Sequence, residues 1–147
     1  MKYLFKSKKL DTTFKAMYIG IFVILIIMPF IIYIAEKEIV PFIILELLFG
    51  SILFILFLAN YYFRIIIDEN YLIIKIIFVF FKADISKITK IRKGETMWSG
   101  FHKYGTTTKG LIIFTKYKDD LYITPENEED FLKKVLEINP NIIIEKI

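Results

Sequence analysis

The chain has 147 residues, is 56% hydrophobic and 24% charged, carries a formal net charge of +4 and contains no cysteine. The missing thiols exclude disulfide stapling, thiol catalysis and cysteine-ligated metal. The modest positive charge suits a surface beside anionic lipid and does not by itself point to nucleic acid.

Residues 1–15 read as a basic N-terminus, with Lys2, Lys6, Lys8, Lys9 and Lys15 opposed only by Asp11. Two apolar runs follow. Residues 16–35 carry no charge, residues 39–63 carry only Glu46 among their apolar positions, and Glu36-Lys37-Glu38 joins the two runs. About 20 apolar residues in a helix cross ~30 Å of hydrocarbon. The pair therefore predicts a transmembrane hairpin, with spans 16–35 and 39–63. The first run is too long for a signal-peptide core, and its end, Ile31–Ala35, has no small-residue cleavage site. Lysines precede the first span, and Arg64, Lys75 and Lys82 follow the second. Positive residues stay on the cytoplasmic side, so both termini are expected inside and the Glu36–Glu38 loop outside. Tyr61 and Tyr62 fit an interfacial aromatic anchor. Gly20, Gly50 and Ser51 allow close helix approach, and Pro29 and Pro41 are tolerated in spanning helices. Glu46 is the one sharp feature, because a carboxylate at a span's centre costs ~2.5–3.5 kcal/mol. It is a candidate intramembrane functional acid, or one that pairs with another protomer.

From residue 64 to 147 the pattern predicts one small domain; about 85 residues suffice for a single core. Tyr62–Ile67 and Tyr71–Ile77 read as a hairpin about the turn Asp68-Glu69-Asn70. Phe78–Ala83, Ile85–Arg92, Thr106–Thr115 and Leu121–Thr124 are further strands, with Lys93-Gly94-Glu95 as a break and Lys116–Asp120 as a polar tip. A helix follows. Thr124 is the expected N-cap and Pro125 its first residue. Glu126, Glu128, Glu129 and Asp130 complement the helix dipole, and Phe131, Leu132, Val135, Leu136 and Ile138 form its apolar stripe. Asn139-Pro140-Asn141 ends it. The expected fold class is α+β: a two-helix transmembrane hairpin, then a small β-sandwich or barrel with one C-terminal amphipathic helix.

Gly110-Leu111-Ile112-Ile113-Phe114, the run Leu121–Leu132 through Thr124-Pro125 and its acids, and Leu136–Ile142 carry a family likeness. Over residues 62–142 the chain resembles a pleckstrin-homology (PH) domain, and specifically the YyaB/SunI-like bacterial PH family. That resemblance implies a PH-like fold behind small membrane segments, and a bacterial inner-membrane location. One branch of the family contains the sublancin immunity protein, which protects a producer from its own bacteriocin. Many eukaryotic PH domains hold inositol phosphates with basic residues in the first hairpin loop. Here that loop is Asp68-Glu69-Asn70, whose acids repel phosphate.

His102 is the only histidine, and no metal-ligand spacing, Gly-rich phosphate loop or serine elbow accompanies it. No cofactor and no catalysis are expected. Lys87, Lys90, Arg92, Lys93 and Lys103, interleaved with Met97, Trp98, Phe101 and Tyr104, form the candidate membrane-surface contact, since basic residues gain ~1 kcal/mol each from anionic lipid. The run Ile76–Phe81 is apolar on both strand faces and is expected to be buried on both sides or to meet another surface. These readings converge on a non-enzymatic integral membrane protein presenting a PH-like interaction module at the cytoplasmic face. The alternatives are a bacteriocin self-immunity protein of the sublancin-immunity type and an enzyme's accessory subunit. The partners expected are the bilayer with its anionic inner leaflet, a membrane or cytoplasmic protein, and a second copy of the chain. Nucleic acid is not expected at a tethered domain.

Overall fold

The computed structural model describes residues 2–117 and 119–147, with Asn60 described by its backbone alone. Residues 1 and 118, within the expected N-terminus and polar tip, lie outside the described residues. The chain forms two compact units: one spans Thr12–Tyr61, and the other joins the segment up to Asp11 with Tyr62–Ile147.

The helical unit contains α1 (Thr12–Glu36) and α2 (Ile39–Tyr62). Both are long and apolar enough to cross a membrane. At 1.5 Å per residue, α1 is about 37 Å long. It begins at Thr12, four residues before the expected span. Lys37 ends it in the left-handed conformation (φ 56°), its N–H donating to the Tyr33 carbonyl at 2.8 Å. This is the usual way a helix is closed. Beyond the turn, Pro41 sits in the first turn of α2, where no helical donor is lost. The Phe42 ring packs on Phe30 and Tyr33, with centroids 6.4 and 5.2 Å apart.

The second unit begins with a strand, β1 (Lys2–Phe5), that hydrophobic patterning did not reveal. It pairs antiparallel with β2 (Arg64–Asp68), setting Phe5 opposite Ile65 and Lys2 opposite Asp68. The expectation of a separate basic N-terminus over 1–15 is therefore corrected. The segment up to Asp11 belongs to the domain, and the helical hairpin is an insertion between two neighbouring strands. β3 (Tyr71–Lys75) and β4 (Val79–Asp84) complete a four-stranded sheet in the order β1-β2-β3-β4. Asp84 opens a short 3₁₀ turn, Ile85–Lys87, by accepting the Ser86 N–H at 2.9 Å.

The second sheet contains β5 (Ile88–Glu95), β6 (His102–Lys103), β7 (Gly110–Thr115), β8 (Leu121–Ile123) and β9 (Ile143–Lys146), in the order β6-β8-β7-β5-β9. Lys93-Gly94-Glu95 does not break β5. Gly94, at φ 89°, carries it through a bulge, as glycine's freedom at positive φ permits. β9, which runs parallel to β5, is a strand not among those expected within the domain. Helix α3 (Glu128–Ile138) follows β8. The core gathers Ile65, Ile67, Leu72 and Ile74 from the first sheet, and Ile91, Leu111, Ile113, Leu121 and Ile123 from the second. Phe131 and Val135, one helical turn apart on α3, close it.

Thr124 is not the cap of α3. It is fully buried, and its Oγ1 accepts the Thr106 N–H at 2.9 Å and lies 3.1 Å from the hydroxyls of Ser7 and Thr106. Its carbonyl receives the Lys8 N–H at 2.8 Å. The cap is Asn127, whose Oδ1 accepts the Asp130 N–H at 3.1 Å. Helix-start preferences select both residues equally well; burial against the N-terminal segment decides between them. At the other end, the Asn139 side chain donates to the carbonyls of Ile85 and Ile88 at 2.9 and 3.1 Å. The Asn-Pro stop thus pins α3 to the 3₁₀ turn.

Candidate interaction surface

The basic residues of 87–104 do not form an open field of positive charge. β5 and β9 run parallel with Arg92 opposite Glu145. Glu145 lies 3.2 Å from Arg92 Nε and 3.4 Å from Lys90 Nζ. Arg92 also holds Glu95 at 2.8 Å, and Lys93 holds Glu128 at 3.4 Å. Hydrogen bonds from Arg92 hold the Glu145 carboxyl below the usual carboxylate range, and the hydrogen bonds to Glu95 first and Glu145 second raise the guanidinium. Lys90 and Arg92 also lie over the Phe114 ring, 4.7 and 5.2 Å from its centroid. Exposed ion pairs contribute little stability, about 0–1 kcal/mol each. They do lower the local potential. Within the segment Glu95 is the only acid; Glu128 and Glu145 arrive through tertiary pairing, which spacing cannot show. The Ile142-Ile143-Ile144 run was the available signal for β9.

Lys87 closes the 3₁₀ turn and is exposed, its carbonyl accepting the Lys116 N–H. Lys103 reaches back to the Trp98 carbonyl at 2.9 Å. Trp98 and Phe101 are 72% and 90% exposed, so neither ring is in the core. Beside Trp98, an open recess of about 330 Å³ is lined by Arg92, Glu95, Phe114 and Asp120. Partial burial, then the neighbouring Asp119, raises the Asp120 carboxyl, against the pull of Lys90 and Arg92. His102 is half-buried, its ring edge-on to Phe81 at 4.8 Å and its Nδ1 3.2 Å from the Tyr104 hydroxyl. Among the described residues no group of three His, Cys, Asp or Glu could hold a metal ion.

The apolar run Ile76–Phe81 is not buried on both faces. Ile76 to Phe78 form the turn between β3 and β4, the Ile76 N–H donating to the Phe78 carbonyl at 3.1 Å. Phe81 enters the core and Ile76 packs against it, while Ile77, Phe78, Val79 and Phe80 are 52–75% exposed. In contrast, Glu69 at the β2–β3 turn stands in the left-handed conformation (φ 51°), and Asp68 pairs with Tyr71 across it. Glu46 lies on α2, half-buried, with no ion-pair partner among the described residues.

Comparison with known proteins places this architecture. A family model described as "Bacterial PH domain" matches residues 62–139, from β2 to the end of α3. A relative from Bacillus subtilis (strain 168), described as "Uncharacterized protein YyaB", is 31% identical over 103 residues. That stretch covers 70% of this chain and 68% of the relative. No solved structure matches. With more than half of the chain under the family model and the expected strands and closing helix in place, the chain belongs to the YyaB-like family of bacterial PH domains.

Proposed function

We propose that the chain is a non-enzymatic inner-membrane protein. α1 and α2 cross the bilayer, and the hairpin they form holds the PH domain at the cytoplasmic face, where it serves as a protein-interaction module. The observation that carries this reading is the pairing of β1 with β2. Phe5 and Ile65 are neighbours in one sheet, so the chain between them must leave and return on the same side. Two apolar helices joined at Glu36–Ile39 meet that demand with two crossings. The lysines of the N-terminal segment favour the cytoplasm as that side. The acidic first hairpin turn, which repels phosphate, agrees with a module that contacts protein at that end.

The test uses the natural lack of cysteine. In intact cells, Glu38→Cys should react with a membrane-impermeant maleimide, and Asn70→Cys should react only after lysis. Labelling of Asn70→Cys in intact cells overturns the orientation. Full extraction of the protein by carbonate overturns the spanning hairpin.

A further inference from the structure

We infer that the β3–β4 turn is a membrane-inserting tip, with Ile77, Phe78, Val79 and Phe80 entering the leaflet from which α2 emerges. This rests on the spanning hairpin proposed above. The strand register carries it. Arg64 opens β2 directly after α2 and Phe63, and it pairs with Lys75, which pairs with Val79. Adjacent strands lie about 4.8 Å apart, so Val79 stands within about 10 Å of the point where the chain arrives from α2. β1 also ends there, since Phe5 is opposite Ile65.

The acidic turn at Asp68 and Glu69 is at the other end of the same hairpin. Four residues of strand separate it from Arg64, about 14 Å. The sheet is therefore polarised, apolar at the end tied to the membrane helix and acidic at the end away from it. Phe101 extends the apolar end. It precedes His102, whose ring packs on Phe81 two residues from Val79, and Tyr104 stacks on Phe63 at 6.2 Å. Four consecutive large apolar side chains more than half exposed are unusual on a water-facing turn. Aromatic and aliphatic side chains at headgroup depth are stabilised there, buried roughly 5–10 Å into the acyl boundary. The contact needs no phosphate pocket and no free basic patch. This agrees with Lys90, Arg92 and Lys93 being engaged by acids.

The experiment uses full-length chain reconstituted at low density in phosphatidylcholine vesicles. Single cysteines at Phe78, Asn70 and Leu47 each carry an environment-sensitive fluorophore. Phe78 and Leu47 are 75% and 71% exposed, so neither change touches the core. Nitroxide-bearing lipid should quench most of the emission at Phe78 and leave Asn70 unchanged, while aqueous iodide should do the reverse. Phe80→Cys supplies a second reading of the tip. Emission at Phe78 and Phe80 open to iodide and untouched by nitroxide lipid overturns the inserting tip. So does emission shielded from both quenchers, which means that a second copy or another protein surface covers it. Leu47 is read separately: quenching there with none at Phe78 refutes the tip and leaves the spanning hairpin intact. No quenching at Leu47 refutes the hairpin itself.

Discussion

Removing the Phe131 ring tests how the N-terminal strand is tied to the domain. Phe131 is fully buried, and the Phe5 ring meets it edge-on, 5.4 Å between centroids at 83°. Deleting a buried phenylalanine costs about 3–5 kcal/mol, through lost transfer energy and the cavity left behind. Phe5 is 7% exposed, so Phe5→Ala falls in the same class, towards its lower end if β1 settles into the space. The edge-to-face pair adds about 0.5–1.5 kcal/mol beyond burial, and a double-mutant cycle isolates that share. The assay is urea unfolding of the domain within the detergent-solubilised chain, followed by the near-ultraviolet circular dichroism of its tyrosines. The double variant should be less destabilised than the sum of the singles by that coupling. Suppose instead that Phe5→Ala changes stability by no more than about 0.5 kcal/mol, the range of an exposed site. Then β1 is not docked, and the insertion of the hairpin between two paired strands is wrong.

The two helix-start candidates should separate cleanly. Thr124→Ala leaves the part-buried Thr106 N–H without its acceptor and should cost about 1–3 kcal/mol, with Thr124→Ser restoring most of it. Asn127→Ala should cost about 0.5–2 kcal/mol and loosen only the first turn of α3, read by amide exchange. Loss of protection at Glu128–Asp130 in Thr124→Ala, with none in Asn127→Ala, would reinstate Thr124 as the cap. Low pH should release β9 before the core. The Glu145 carboxyl titrates below its ordinary value, so its stabilisation is complete above that value and is lost as pH falls through the depressed one. Protection factors at Ile144–Lys146 should fall with pH while those of Leu111–Ile113 hold, and Glu145→Gln should flatten the difference; parallel loss in both strands would show that Arg92 and Lys90 do not anchor β9.

Local signals sufficed for the elements whose cause is local. The two helices could be read because about 20 uninterrupted apolar residues leave few other folds open. β2, β3, β7, β8 and α3 could be read because alternation and helical spacing repeat within a few residues, and the family likeness rests on the same stretch. The apolar run Ile76–Phe81 could be seen but not interpreted. A turn rather than a strand centre exposes it, and turn position depends on register. What failed depends on partners distant in sequence. Lys2–Phe5 is too short and too charged to announce a strand; it becomes one because β2 offers an edge. Thr124 looks like a cap until Ser7 and Thr106 enclose it. Lys90, Arg92 and Lys93 read as unopposed positive charge until β9 and α3 bring Glu145 and Glu128 to them. By itself, the sequence determined the membrane-length helices, the family and the closing helix, because hydrophobic period and helix ends are written in neighbouring residues. Only the tertiary structure decided that the hairpin interrupts a sheet and which charges are neutralised, because those follow from contacts between segments 35 to 66 residues apart, and the strand register decided that the Ile77–Phe80 turn faces outward.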